Sequence, residues 1–233
     1  MPFLRATAGI YGEITRLNFN TPAAAVFLTK GNQLSVLSTG VVETSYSGTE
    51  GMLSGDNTAP SVSGLLAGGY GSNGAAPSVS YVFPGQTLQT LSNMTTNHCA
   101  KITDFPDNTS LTFSTRVSQT TFLYSDLTST TTFVTSGNNV LSGVGLAFFN
   151  GPLVIQAKNQ SNWAGIVYVQ GSVNIRGPGD ISGTLIATGP VTIGYGSDND
   201  KGVVEYNPDA ISATQTYLEQ FSVISSSVIV TGN

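Results

Sequence analysis

Short apolar runs recur along the C-terminal half of this chain at a nearly constant interval. Gly145-Leu-Ala-Phe-Phe-Asn150 leads into Gly151-Pro-Leu-Val-Ile155, and Gly165-Ile-Val-Tyr-Val-Gln170 leads into Gly171-Ser-Val-Asn-Ile175. Gly183-Thr-Leu-Ile-Ala-Thr188 precedes Gly189-Pro-Val-Thr-Ile193, and Gly202-Val-Val-Glu-Tyr-Asn207 precedes Pro208-Asp-Ala-Ile211. The first glycine falls at 145, 165, 183 and 202, giving steps of 20, 18 and 19 residues. Each unit holds two β-prone runs joined by a glycine corner. One unit cannot bury its apolar face alone, whereas stacked copies bury a continuous column. The period predicts an all-β chain with a short β-solenoid, about four coils of ~19 residues over 141–211. Val167, Val169, Val173, Ile175, Leu185, Val191 and Ile193 are its expected core.

The period then changes. Asn207 is placed to cap a helix, Pro208 suits the first helical position, and Asp209 suits the positive helix end. Ala210, Ile211, Thr214, Leu218 and Phe221 share one face at helical spacing. The spacing predicts a short helix over 208–220 that caps the open end of the solenoid. A β-prone tail follows it, so 208–233 reads as capping helix and C-terminal strand.

Residues 1–140 read as an antiparallel β region. Ala25-Val-Phe-Leu28 and Leu34-Ser-Val-Leu37 flank Gly31-Asn32, a hairpin signal. Residues 45–79 are crowded with Gly and Ser and predict a long surface loop. Residues 80–92 read as strand, turn and strand, and the Thr-rich stretch 109–135 as two or three strands. No amphipathic helix is expected before residue 207. The terminal segments 3–11 and 223–230 are β-prone. They are expected either to exchange between subunits or to fold back and seal their own edges.

The repeat phrases Gly165-Ile-Val-Tyr-Val-Gln-Gly-Ser-Val-Asn-Ile-Arg-Gly177 and Ile181-Ser-Gly-Thr-Leu-Ile-Ala-Thr-Gly-Pro-Val-Thr-Ile193 carry a resemblance. Residues 145–211 resemble short β-helical domains of bacterial pilus-associated and cell-surface proteins. More distantly they resemble bactofilin-type filament formers. The chain differs from the former by lacking an N-terminal apolar helix, and from the latter by its short solenoid and large remainder. The resemblance implies assembly at the cell envelope and no catalytic residue.

Composition sharpens this picture. Only 9% of the 233 residues are charged, with a net charge of −5, while Ser and Thr together number 56. So thin a charge offers no basic footprint for nucleic acid. It also leaves copies of the chain with little mutual repulsion. The single Cys excludes an internal disulfide framework and thiolate metal clusters. No apolar run is long enough to span a membrane. The first ten residues, with Arg5 among them, carry no secretory signal pattern, so the export route is open.

Candidate chemistry is sparse. Asp198-Asn199-Asp200-Lys201-Gly202 has oxygen ligands at alternate positions before a glycine turn, as in part of a calcium loop. Asp198 and Asp200 are the candidate metal ligands and Ca2+ the candidate ion. The distal bidentate Glu is missing at the proper spacing, and Glu205 and Asp209 reach the loop only if the turn folds back. An exposed turn is the competing reading. Asp104 and Asp107 form an acid pair, but no second pair lies on neighbouring coils, as a glycan-cleaving solenoid would need. His98 and Cys99 are adjacent, so on a strand they point to opposite faces and cannot act as a nucleophile–base pair. Trp163, Tyr168, Tyr195 and Tyr206 are the aromatics that a sugar-binding row would use.

These observations predict a non-enzymatic structural subunit without cofactor. It self-assembles with copies of itself into an extracellular or cell-surface filament or lattice through uncharged, β-mediated contacts. A viral or phage capsid or tail surface protein is the alternative, and a polysaccharide-binding or polysaccharide-cleaving β-solenoid is a second.

Overall fold

The computed structural model describes residues 7–15, 17–94, 97–99, 121–134, 141–156, 161–177, 179–195, 201–218 and 222–231. Nineteen strands lie among them. The N-terminal segment contributes β1 (Thr7–Thr15), β2 (Ala24–Leu28), β3 (Leu34–Val36), β4 (Gly40–Thr44) and β5 (Glu50–Ser54). It continues with the short strands β6 (Ser61–Val62), β7 (Leu65–Leu66) and β8 (Tyr70–Ser72). Two helices follow, α1 (Val79–Val82) and α2 (Leu88–Met94). Then come β9 (Asn97–Cys99), β10 (Thr121–Ser125), β11 (Thr131–Val134), β12 (Ser142–Phe149) and β13 (Leu153–Gln156). The repeat region supplies β14 (Ser161–Val169), β15 (Val173–Ile175), β16 (Gly179–Ala187), β17 (Val191–Ile193) and β18 (Gly202–Tyr206). Helix α3 (Pro208–Leu218) and β19 (Ser222–Thr231) complete the chain.

The strands form one large, curled parallel sheet, one smaller parallel sheet and a terminal ribbon. Each repeat places a long strand in the large sheet and a short strand in the smaller one. β10–β11, β12–β13, β14–β15 and β16–β17 are thus successive tiers of a solenoid-like stack. The first glycines of the repeat fall in register inside β12, β14 and β16, Gly145 beside Gly165 and Gly165 beside Gly183. The fourth copy slips. Gly202 pairs with Gly179, and Tyr206 takes the place beside Gly183.

That slip opens a gap which the N-terminal segment fills. β18 covers only the first half of β16, from Gly179 to Gly183, and β2 covers the second half, from Leu185 to Ala187. β3 lies on β17. The next tier is β4 on β18, β5 on β2 and β6 on β3, and the last is β7 on β4 with β8 on β5. Residues 24–72 therefore extend the stack that residues 121–206 begin.

This corrects the expected antiparallel arrangement. β2 and β3 do not form a hairpin, because they belong to different sheets and each pairs parallel with a C-terminal strand. Gly31-Asn32 is a corner, not a hairpin turn. A Cβ on Gly31 would fall on the carbonyl oxygen of Thr58 in the next tier. The glycine signal is thus steric and its cause is the neighbouring tier. The region expected as loop, 45–79, contains β5 to β8. Among the described residues, only β1 and β19 pair antiparallel, from Thr7 beside Thr231 to Thr15 beside Ser222.

Two further expectations change. Residues 79–82 and 88–94 are helical, where strands were expected within 80–92. Ser78 caps α1 by accepting from the Tyr81 N–H at 3.2 Å. Thr87 and Thr90 bond reciprocally at the start of α2, and Leu88, Leu91 and Met94 recur at three-residue spacing. Helix α3 begins as predicted, with Asn207 Oδ1 accepting from the Ala210 N–H at 3.1 Å. It does not cap the end of the stack. It packs along the side, against β12, β14 and β16, with Ile211 and Thr214 buried. The side chain of Asn207 fixes this placement by donating to Ser182 Oγ on β16 at 3.0 Å.

The core runs the length of the stack. Leu123, Ala147, Val167, Leu185, Val26 and Met52 are consecutive in-register partners, all buried. Ile155, Ile175, Ile193 and Val36 form a second buried column on the smaller sheet. Ile181, Val204 and Val42 form a third. Strands β2, β12 and β16 each show five consecutive buried residues, because both faces are covered. The second face carries an aromatic row. Tyr124 stacks on Phe148 at 4.9 Å and Phe148 on Tyr168 at 4.8 Å, and Phe83 beyond α1 packs edge-on against Tyr168 at 5.2 Å.

Candidate functional site

Three places on the described surface bring polar chemistry together. The first is a row of carboxylates where the N-terminal tiers join the C-terminal ones. Glu205 on β18 and Glu43 on β4 are direct in-register neighbours, and Asp180 lies on β16 alongside. Asp180 Oδ1 is buried and finds no hydrogen-bond partner. Burial, then the charges of Glu205 and Glu43, push the Asp180 carboxyl above the usual aspartate range. Parallel pairing forces Glu43 and Glu205 together, since in-register side chains on adjacent strands stand close, and Asp180 lies diagonal to them, beside Val203. Among the described residues, no group of three His, Cys, Asp or Glu side chains is arranged to hold a metal ion.

The second is the corner at Asp56. Its Oδ1 accepts from the Gly31 N–H at 2.9 Å, the Thr58 hydroxyl at 2.7 Å and the Thr58 N–H at 3.2 Å. These donors, Gly31 foremost, hold the carboxyl below its usual range. Asp56 thereby ties the β2–β3 corner to the β5–β6 corner. Its bonds are internal and it is structural.

The third is an open groove of about 580 Å³ between the α1–α2 segment and the stack. Ser78, Ser80, Gln86, Thr87, Gln170 and Thr188 line it together with the apolar Val79 and Leu88, and the lining is uncharged. Tyr168 stands at its base. The Tyr168 hydroxyl is turned inward to donate to the Pro77 carbonyl at 3.1 Å, and burial pushes it up to about 12.

The residues singled out from sequence are dispersed. Asp198, Asp200, Asp104 and Asp107 lie outside the described residues, as does the loop around the first two. His98 and Cys99 are on β9, beside Tyr124 and Ser125 of β10. Glu205 belongs to the carboxylate row, and Asp209 sits in the first turn of α3. The four aromatics do not form a row. Trp163 is buried and donates its indole N–H to the Gly145 carbonyl at 3.0 Å. Tyr168 is in the aromatic stack, and Tyr206 packs edge-on against Tyr46 at 6.0 Å. Tyr195 is exposed, with the Arg176 guanidinium 5.7 Å from its ring centre.

Sequence reasoning missed the carboxylate row, because Glu43 and Glu205 are 162 positions apart and only the tier pairing brings them together. Their positions share a strand pattern, valine–valine–glutamate, in Val41-Val42-Glu43 and Val203-Val204-Glu205. That match is the signal that would have found the pairing. Among the described residues, no helix is long and apolar enough to cross a membrane. No family model, curated protein or solved structure matches the chain.

Proposed function

We propose that this protein is a non-enzymatic structural subunit, a β-solenoid spliced from two separate chain segments, that self-assembles with its own copies at a cell surface or outside the cell. The observation that carries this reading is the terminal ribbon. Among the described residues, β1 and β19 pair with each other and with no strand of the two parallel sheets. A two-stranded ribbon is marginally stable in water without further packing, and its outer edges present main-chain donors and acceptors. Strand addition from another copy satisfies those groups and enlarges the ribbon into a stable sheet. The low formal charge of the chain suits such contact, since copies approach without strong repulsion.

Electron microscopy of the purified chain is the test, together with a variant lacking residues 1–10. Filaments or lattices from the full chain, lost in a shortened chain of unchanged circular dichroism, are the expected pair of results. Monodisperse single particles at all concentrations would refute the reading. The uncharged groove beneath α1 favours a second reading, a binding site for a neutral, hydroxyl-rich glycan. Retardation in gels containing neutral polysaccharide, abolished by Gln170→Ala with Gln86→Ala, would support that instead.

A further inference from the structure

Two asparagine–glycine pairs occur in the chain, Asn73-Gly74 and Asn150-Gly151. In such a pair the main-chain nitrogen of the glycine can attack the asparagine Cγ and close a succinimide ring, and glycine has no side chain to obstruct the approach. The fold treats the two pairs in opposite ways. Gly151 is buried, and a Cβ placed on it would lie 2.5 Å from the Leu127 carbonyl oxygen and 2.7 Å from that of Thr128. The neighbouring tier closes over this pair, and the Asn150 N–H donates to the Ser125 carbonyl at 3.0 Å. Gly74 is exposed, and apart from its immediate chain neighbours no atom lies within 4 Å of where its Cβ would stand.

The turn after β8 also sets the reacting groups. Asn73 is anchored by its own N–H, which donates to the Ser54 carbonyl at 2.7 Å. The next nitrogen, that of Gly74, meets the Ser72 hydroxyl at 3.3 Å, a long contact that holds it weakly. Asn73 Nδ2 donates to the Tyr81 hydroxyl at 2.8 Å. That nitrogen is the one expelled when the ring closes, so a hydroxyl stands within proton-transfer reach of the leaving group. Tyr81 belongs to α1, and its ring packs against Phe27 with centroids 5.9 Å apart, which fixes the hydroxyl in place.

We propose that Asn73-Gly74 is a self-modifying site, at which the folded chain converts the Asn73 amide into a carboxylate with the Tyr81 hydroxyl assisting. The Gly74 nitrogen gives its proton to solvent hydroxide and bonds to Asn73 Cγ. The Cγ–Nδ2 bond breaks, and Nδ2 leaves as ammonia with a proton from the Tyr81 hydroxyl, which water then restores. Water opens the ring at either carbonyl, giving aspartate or isoaspartate. The product places a carboxylate in a stretch, 57–100, that holds no Asp, Glu, Lys or Arg. Isoaspartate also adds a carbon to the main chain between β8 and α1, next to the Pro77 carbonyl that accepts from Tyr168. The modification therefore acts on the link that carries the chain from the last tier onto the side of the stack.

The test is peptide mapping by mass spectrometry after the folded chain is held in mildly alkaline buffer, with the urea-unfolded chain alongside. Each amide-to-acid exchange is read from its mass gain, and isoaspartate from its separate elution. In the folded chain Asn73 should convert at least about tenfold faster than Asn150, whose reaction waits for local opening. The difference should shrink on unfolding, where neither glycine is enclosed. Equal rates in the folded chain, or an Asn73 that stays intact, overturn the site. Tyr81→Phe keeps the ring against Phe27 and removes only the hydroxyl. It should slow Asn73 several-fold in the folded chain, with circular dichroism unchanged, and leave the rate in urea as it is in the parent. Equal or faster conversion in the folded variant overturns the assisting role of the hydroxyl and shows that it merely restrains the amide.

Discussion

The carbonyl oxygen of Gly165 occupies the place that a Cβ on Gly183 would take. The two glycines are in-register partners on neighbouring tiers, and Gly183 has a φ of +152° that side chains disfavour. Gly183→Ala should therefore push β14 and β16 apart at this point and cost about 3 kcal/mol. Chemical denaturation reads this cost, and a loss under about 0.5 kcal/mol, the size of an ordinary surface change, would show that the strand pair relaxes freely.

Leu185 sits mid-column between Val167 and Val26, fully buried. Leu185→Ala should cost about 3 kcal/mol through lost burial and the cavity left behind. Val167→Asp places an unpaired charge in the same column and should yield no folded protein. Emission of Trp163, the one tryptophan of the chain, reports both, because its ring is buried in the native state.

Asp180 should respond to pH with the sign of a strained acid. Its folded-state affinity for protons is raised, so folding favours the protonated form. Stability from this residue is therefore lowest above its folded pKa and recovers as pH falls toward the ordinary aspartate value of 3.8. Asp180→Asn should raise the melting temperature at neutral pH, with the advantage shrinking on acidification. A melting temperature lower than the parent's at neutral pH would show that the carboxylate is stabilised, contrary to its surroundings.

Asp56 should behave in the opposite sense. Its carboxylate is favoured in the folded chain by the Gly31 and Thr58 donors, so its contribution is present above pH 3.8 and lost as pH falls through its lower folded value. Asp56→Ala should lower the melting temperature at neutral pH, and the two proteins should converge in strong acid. Equal melting at neutral pH would mean that the corner bonds add nothing.

Tier-to-tier register was legible in the C-terminal half because its period is local. Gly145, Gly165 and Gly183 announce the tiers by their spacing, and Asn207-Pro208-Asp209 announces a helix start by composition. The placement of that helix was not legible, since the Asn207 bond to Ser182 depends on a neighbour in space. The N-terminal tiers were hidden for the same reason. Val26 pairs with Leu185, and Glu43 with Glu205, across more than a hundred positions, and a strand pattern names no partner. Val62 and Tyr70 looked like loop because their strands are only two and three residues long. Residues 79–94 misled because Val, Tyr and Phe favour strands, while the Ser78 and Thr87 caps decided for helix.

The joining of residues 24–72 onto a platform made by residues 179–206 sets an order of events at the ribosome. The first tiers to be synthesised are the last to dock, because β2, β3 and β4 can pair with β5, β6 and β7 but have no inner tier to lie on until β16, β17 and β18 have left the exit tunnel. At about 5–20 residues per second the segment waits on the order of ten seconds with the inner edges of β2, β3 and β4 unpaired. Pairings so remote in sequence also close slowly once all parts are present. A circular permutant that begins near residue 97 and carries residues 24–72 after residue 206 would synthesise the tiers in the order in which they stack, and would shorten that exposed interval.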